Sequence, residues 1–117
     1  MHAPTTELLK EIYEGLKVFD VPIYTRLPSE SVLEPFFVIG EHQDEDMSAK
    51  INLAVTRTEL KIDLFYPYRD RAEIEDLTHN VKSVLSRKRK IVTSNIIYDD
   101  SIGREVFHVV FYVSTII

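Results

Sequence analysis

The final stretch of the chain, Val106 to Ile117, sets the tightest limit on what this sequence can fold into. Read with the two-residue period of a strand, Phe107, Val109, Phe111, Val113 and Ile117 share one face. Val106, Val110, Tyr112 and Ile116 on the other face are apolar as well. Neither side suits water, so such a strand is either central in a covered sheet or pressed against another subunit. A chain of 117 residues must supply that cover from its own helices or leave part of it to a partner.

Two segments have the pattern of covering helices. From Thr5 to Phe19, Leu8, Leu9, Ile12, Leu16 and Phe19 recur at steps of three and four, with Glu7, Lys10, Glu11, Glu14 and Lys17 between them. Pro4 and the two threonines after it supply start signals, a pre-set φ and hydroxyl caps, and Asp20 with Pro22 supplies the stop. A second stripe, Ile74, Leu77, Val81, Val84 and Leu85, predicts a helix from about Asp70 to Ser86, opened by a capping-box pair of Asp70 and Glu73. Arg87, Lys88, Arg89 and Lys90 follow at its C-terminal end, where cations oppose the helix macrodipole.

The remaining segments read as strands and turns. Val21 to Tyr24 is a short apolar stretch. Phe36 to Ile39 is a dense aromatic and β-branched run after Pro35, expected to end at Gly40. The acidic stretch from Glu41 to Lys50 is expected to be a loop or hairpin tip. Val55 to Tyr66 alternates cleanly, with Leu60, Ile62 and Leu64 against Arg57, Glu59, Lys61 and Asp63, followed by a turn through Pro67 and Tyr68. Ile96 to Tyr98 reads as a short strand, and Asp99 to Gly103 as the turn before the last one. The expected fold is α+β: a mainly antiparallel sheet of about four to five strands with two helices packed on it, in a single domain spanning 1–117.

Charge and composition narrow the function classes. With 14 Lys plus Arg against 19 Asp plus Glu, the net charge is -5, which gives no general attraction for phosphate backbones. The absence of cysteine excludes a disulfide scaffold, a thiolate metal site and a cysteine nucleophile. No window approaches the roughly 18 continuous apolar residues of a membrane-spanning helix, and residues 1–10 carry no apolar signal core, so a soluble protein is expected. Gly15, Gly40 and Gly103 stand alone, with no dinucleotide fingerprint or phosphate-binding loop around them, and no GxSxG, HExxH or EF-hand spacing occurs. No enzymatic activity and no cofactor are expected.

Several clusters have both a chemical and a plain reading. Glu41, His42, Asp44, Glu45 and Asp46 are oxygen- and nitrogen-bearing groups that a hard cation could take, but the Gly-bearing pattern of a Ca²⁺ loop is missing and a solvated acidic loop suffices. His79 falls on the charged side of the second helix. His108, between Val106 and Val110, reads as a hydrogen-bonded sheet or interface residue rather than a zinc ligand. Arg87 to Lys90 could touch phosphates, or could pair with carboxylates of the same chain or a neighbour. Tyr24, Tyr66, Tyr68, Tyr98 and Tyr112 suit half-buried strand and turn positions.

The run Val21-Pro-Ile-Tyr-Thr-Arg-Leu-Pro28, then Glu34-Pro-Phe-Phe-Val-Ile-Gly-Glu-His42, a strand of the kind Leu60-Lys-Ile-Asp-Leu-Phe-Tyr66, and a helix leading to a long last strand resemble, in order and length, small proteins of tailed bacteriophages. The pattern is similar to that of the tail terminator, tail completion and head-tail joining proteins of long-tailed phages. It consists of apolar runs and prolines rather than catalytic residues.

The resemblance implies a structural role in the virion tail or neck, with assembly in the host cytoplasm. Identical subunits would form a ring of six at the head-proximal end of the tail tube, contacting the tube protein and the head connector, with DNA passing through unspecifically and no membrane involved. On that reading Phe107, Val109, Phe111 and Tyr112, with Phe36 and Phe37, are candidates for the subunit interface. Arg87, Lys88, Arg89 and Lys90 would face a neighbour's acidic surface, and Glu41, Asp44, Glu45 and Asp46 would form a loop toward the lumen or a partner. The alternative is a small nucleic-acid or regulatory binding module on a ferredoxin-like sheet, using the basic block and the tyrosines.

Overall fold

A computed structural model describes residues 3–46, 56–101 and 103–116. Helix α1 (Pro4–Leu16) begins with Ala3 as its N-cap and Pro4 in the first turn, and it continues as a 3₁₀ turn over Lys17–Phe19. The threonines sit inside the first turn and make no capping hydrogen bond, so the expected hydroxyl cap is replaced by the proline alone. Asp20, in the left-handed region at φ 55°, stops the turn. Strands β1 (Ile23–Tyr24), β2 (Phe36–Asp46) and β3 (Thr56–Pro67) follow, then α2 (Arg71–Leu85), β4 (Ile91–Asp99) and β5 (Val106–Ile116). The segment before β2 contains a cis peptide bond between Glu34 and Pro35.

The strands form one five-stranded sheet in the order β1-β2-β3-β5-β4, antiparallel except for the short parallel pair β1–β2. The fold is therefore α+β, as the sequence predicts, and β5 is an inner strand hydrogen-bonded on both sides. Both helices cover one face. Leu8, Ile12 and Leu16 of α1 and Ile74, Val81 and Leu85 of α2 pack against Phe37, Ile39, Leu60, Ile62, Leu64, Phe107, Val109, Phe111 and Val113. Each of these large side chains is worth roughly 2–5 kcal/mol against truncation to alanine, so this layer carries most of the fold's stability. Where the helices meet, a methyl group at Gly15 would stand 2.9 Å from Cγ1 of Val84, so any larger residue there would force the valine to shift.

Asp70 caps α2, its Oδ1 accepting the Ala72 N–H at 2.9 Å. Glu73 does not close a capping box with it. The Glu73 carboxylate accepts instead from the Tyr66 hydroxyl and, at 2.7 Å, from Arg69.

Two strands are longer than the sequence pattern suggested. Strand β2 runs through Gly40 to Asp46, so Glu41 to Asp46 are strand residues rather than a loop. A bulge between Ile39 and His42 lets the strand continue opposite β3. Strand β4 begins at Ile91, five residues before the expected Ile96, directly after the basic turn. The rest of the expected acidic loop, residues 47–50, and the positions Val55 and Ile117 lie outside the described residues.

Candidate interaction surface

The other face of the sheet has no helix on it among the described residues. The registers put Val106, His108, Val110, Tyr112, Ser114 and Ile116 of β5 on this face, beside Ile91, Thr93, Asn95, Ile97 and Asp99 of β4. One end is sealed by a second apolar cluster, in which Phe36, Val38, Phe65 and Val106 receive Tyr24 and Val32 from the segment before β2. Arg104 holds that segment down: its guanidinium donates to both Glu34 carboxylate oxygens at 2.9 Å, to the Glu30 carbonyl at 2.8 Å and to the Val32 carbonyl at 2.6 Å. This is the planar fork that suits arginine.

The opposite end stays open among the described residues. Ile91 is 65% exposed, Ile116 55%, Tyr112 41% and Ile97 39%, all on the helix-free face near β4. Four large apolar side chains grouped on one face of adjacent strands are a different matter from single exposed hydrophobes scattered over a surface.

Between the two ends lies a clamp of three polar side chains. Nε2 of His108 is 2.6 Å from Oδ1 of Asp63, and Nδ1 is 3.2 Å from Oδ2 of Asp99, with the ring stacked on Phe65 at 4.3 Å. Ionised carboxylates only accept hydrogen bonds, so both contacts are made at once when both ring nitrogens carry protons. The Asp99 carboxyl is held below its ordinary value first by the Ser101 hydroxyl and then by the Ser101 N–H, with His108 adding to them against the effect of burial. The three side chains tie β3, β5 and β4 together across the sheet. Among the described residues, no cluster of three or more His, Cys, Asp or Glu side chains is arranged to hold a metal ion.

The sheet also has two unfinished margins. Among the described strands β4 pairs with β5 alone, and from Ile91 to Tyr98 its sequence carries neither charge nor proline. Edge strands in monomers are commonly blunted by exactly such residues, so this margin lacks the usual protection. At the other margin β1 pairs with Phe37 and Val38 alone, leaving the acidic half of β2 without a neighbour on that side among the described strands.

The residues singled out from sequence are divided by this architecture. Phe107, Val109, Phe111 and Phe37 lie under the helices, and Phe36 lies in the sealed cluster; their surface is spent within the subunit, which corrects their assignment to a contact between subunits. Tyr112 alone of that set is exposed on the open face. Glu41, Asp44 and Glu45 are exposed along β2, with Asp44 accepting from Thr58 at 2.7 Å. For Asp46 only the backbone, at the end of β2, is described.

The basic block is not one patch. Lys88 and Arg89 adopt left-handed backbone at φ 57° and 61°, and this turn carries Lys90 inward. Lys90 donates to Glu11 of α1 and, at 3.1 Å, to the Arg87 carbonyl. The Lys88 ammonium is 3.6 Å from Glu11. Lys90 is therefore paired within the chain rather than with a neighbour, whereas Arg87, Lys88 and Arg89 are exposed. His79 is exposed on α2, as its position in the helix pattern predicts.

Sequence reasoning missed the early part of β4 and the Asp63–His108–Asp99 clamp. The β-branched run Ile91-Val92-Thr93 was a signal for the first. The second required the strand order, since β5 must lie between β3 and β4 for the three to meet. No helix among the described residues is long and apolar enough to cross a membrane. Compared with known proteins, the chain matches no family model and no curated protein sequence.

Proposed function

We propose that this chain is a structural subunit of a bacteriophage or prophage tail, of the terminator or head-tail joining kind, that acts by assembling with copies of itself and with adjoining tail and head proteins. The observation that carries this reading is the unpaired, uncharged margin of β4 beside the exposed Ile91, Ile97, Tyr112 and Ile116. An edge and a face of this kind are stable in water chiefly when another protein covers them. The sequence resemblance supplies the setting, a ring of six at the head end of the tail tube. A net charge of -5 on each copy suits a passage through which DNA slides without sticking.

A nucleic-acid-binding module is supported less well. Lys90 is committed to Glu11, and the helix-free face carries Asp63 and Asp99. The element order α-β-β-β-α-β-β also differs from that of a ferredoxin-like sheet.

The test is genetic and physical. Phage particles made without the protein are expected to carry tails of abnormal length or tails not joined to heads, and the purified protein is expected to sediment as a closed oligomer. Tails of normal length and infectivity in its absence would overturn the proposal.

A further inference from the structure

The two margins of the sheet are complementary in direction and in charge. We infer that copies of this chain join head to tail, β4 of one copy pairing antiparallel with the outer edge of β2 in the next, so that the sheet runs on from subunit to subunit. The inference rests on the self-assembly reading above and specifies the contact through which it occurs.

Direction comes first. Strand β2 is antiparallel to β3, β3 to β5, and β5 to β4, so β4 runs opposite to β2. A second copy set beside β4 with its helices on the same side therefore presents β2 antiparallel to it, the arrangement that allows narrow and wide hydrogen-bonded pairs to alternate. The surfaces joined are different ones, so the contact is heterologous and repeats around a ring. The part of β2 beyond its pairing with β1, residues 39–46, has no strand on its outer side among the described ones and is comparable in length with the nine residues of β4.

Charge selects the partner. The β2 margin carries Glu41, Asp44 and Glu45, and two such margins placed together would set carboxylates against carboxylates. Strand β4 is neutral, but the exposed Arg87 and Arg89 stand immediately before it. Antiparallel pairing puts the C-terminal end of β2 beside the N-terminal end of β4, which brings the acidic residues next to those arginines. Side-chain alternation restricts the register further. Gln43 lies opposite Glu59 on the helix-free face, and Thr93 and Asn95 of β4 point to that same face. Keeping the helices on one side thus sets Gln43 across from Thr93 or, two residues along, from Asn95.

Because the chain has no cysteine, engineered disulfides read this contact directly. Gln43→Cys and Thr93→Cys are purified separately, mixed under mild oxidation and resolved without reductant; Asn95→Cys replaces Thr93→Cys to cover the alternative register. Circular dichroism confirms folding of each variant. The expected result is conversion of most of the mixture to a disulfide dimer in one of the two pairings, little dimer from any variant alone, and a ladder of larger species from the matching double variant. Dimerisation of Asn95→Cys alone without cross-linking to Gln43→Cys would identify a two-fold β4–β4 contact and overturn the inference. Failure of Gln43→Cys to cross-link to either partner would overturn it also, whatever mass the wild type shows. The tail role is judged separately: abnormal tails without the protein together with absent cross-links would remove only the strand pairing, whereas normal tails would remove the tail role even if cross-links form.

Discussion

Lys90, the last cation of the basic turn, is buried with its ammonium against the carboxylate of Glu11 on α1. The lysine side chain is 5% exposed and the glutamate side chain 35%. Removing one partner of a fully buried pair typically costs roughly 3–5 kcal/mol, but water reaching Glu11 screens this one, so Glu11→Gln is expected to cost about 2 kcal/mol. The exposed Glu14, 3.6 Å from Lys17, serves as the control, and Glu14→Gln should change stability by less than about 0.5 kcal/mol in the same urea titration.

The same pair has a pH signature. Glu11 is held below its ordinary value chiefly by the hydrogen bond from Lys90, which outweighs the opposing effect of burial. A carboxyl lowered in the folded state contributes its stability in full above the ordinary value of 4.5 and loses it as pH falls through the lowered one. The stability difference between wild type and Glu11→Gln should therefore be flat from neutral pH down toward 4.5 and shrink only below it. A difference that shrank on raising the pH toward neutrality would contradict the pairing.

Much of this architecture is written in the periodicity of the chain, and the failures have a common cause. Leu8, Ile12 and Leu16, and Ile74, Val81 and Leu85, announce two helices because each buries one stripe and wets the rest. Strand β5 announces itself because both its faces are apolar. The acidic half of β2 and the start of β4 are at the margins of the sheet, where a strand keeps one edge and part of a face in water and needs no apolar alternation. Lys90 was illegible for another reason: a left-handed turn of two residues decides which cations of a basic run point outward, and no sequence period encodes it.

The contact between Gly15 and Val84 should show a reversal of sign. Alanine is favoured over glycine inside a helix by about 1 kcal/mol, but at this position the added methyl meets Val84 Cγ1 at 2.9 Å. The valine is stiff at χ1 and cannot simply swing aside. Gly15→Ala is expected to be neutral or destabilising in the wild type and stabilising by about 1 kcal/mol in a Val84→Ala background, as measured by thermal unfolding of the four proteins.

Arg104 should matter through its shape more than its charge. Lysine at this position would keep the charge facing Glu34 but could not also satisfy the Glu30 and Val32 carbonyls. Arg104→Lys is expected to loosen the segment before β2 while the helices and the sheet remain formed. Cleavage by trypsin after the exposed Arg26 should accelerate several-fold with an unchanged circular dichroism spectrum. An unchanged cleavage rate would mean that Tyr24 and Val32 hold the segment down without the arginine.

The clamp around His108 connects the interior of the sheet to its margin, since Asp63 belongs to β3 and Asp99 ends β4. His108→Leu would leave two largely buried carboxylates without their shared donor, at a cost of about 2–4 kcal/mol, and adding Asp63→Asn should recover part of it. Asp99 keeps a second support in Ser101, whose N–H reaches its Oδ1 at 2.8 Å and whose hydroxyl is the main cause of its lowered value. Ser101→Ala should therefore move the Asp99 carboxyl up toward the ordinary 3.8 without restoring it fully, because the N–H remains. Carbon-detected NMR titration reads that shift. Amide exchange along β4 reads its mechanical consequence: if the clamp aligns the margin, protection from Ile91 to Asp99 falls in His108→Leu more than in Ser101→Ala, and equal loss in both would mean that the turn, not the histidine, holds the strand.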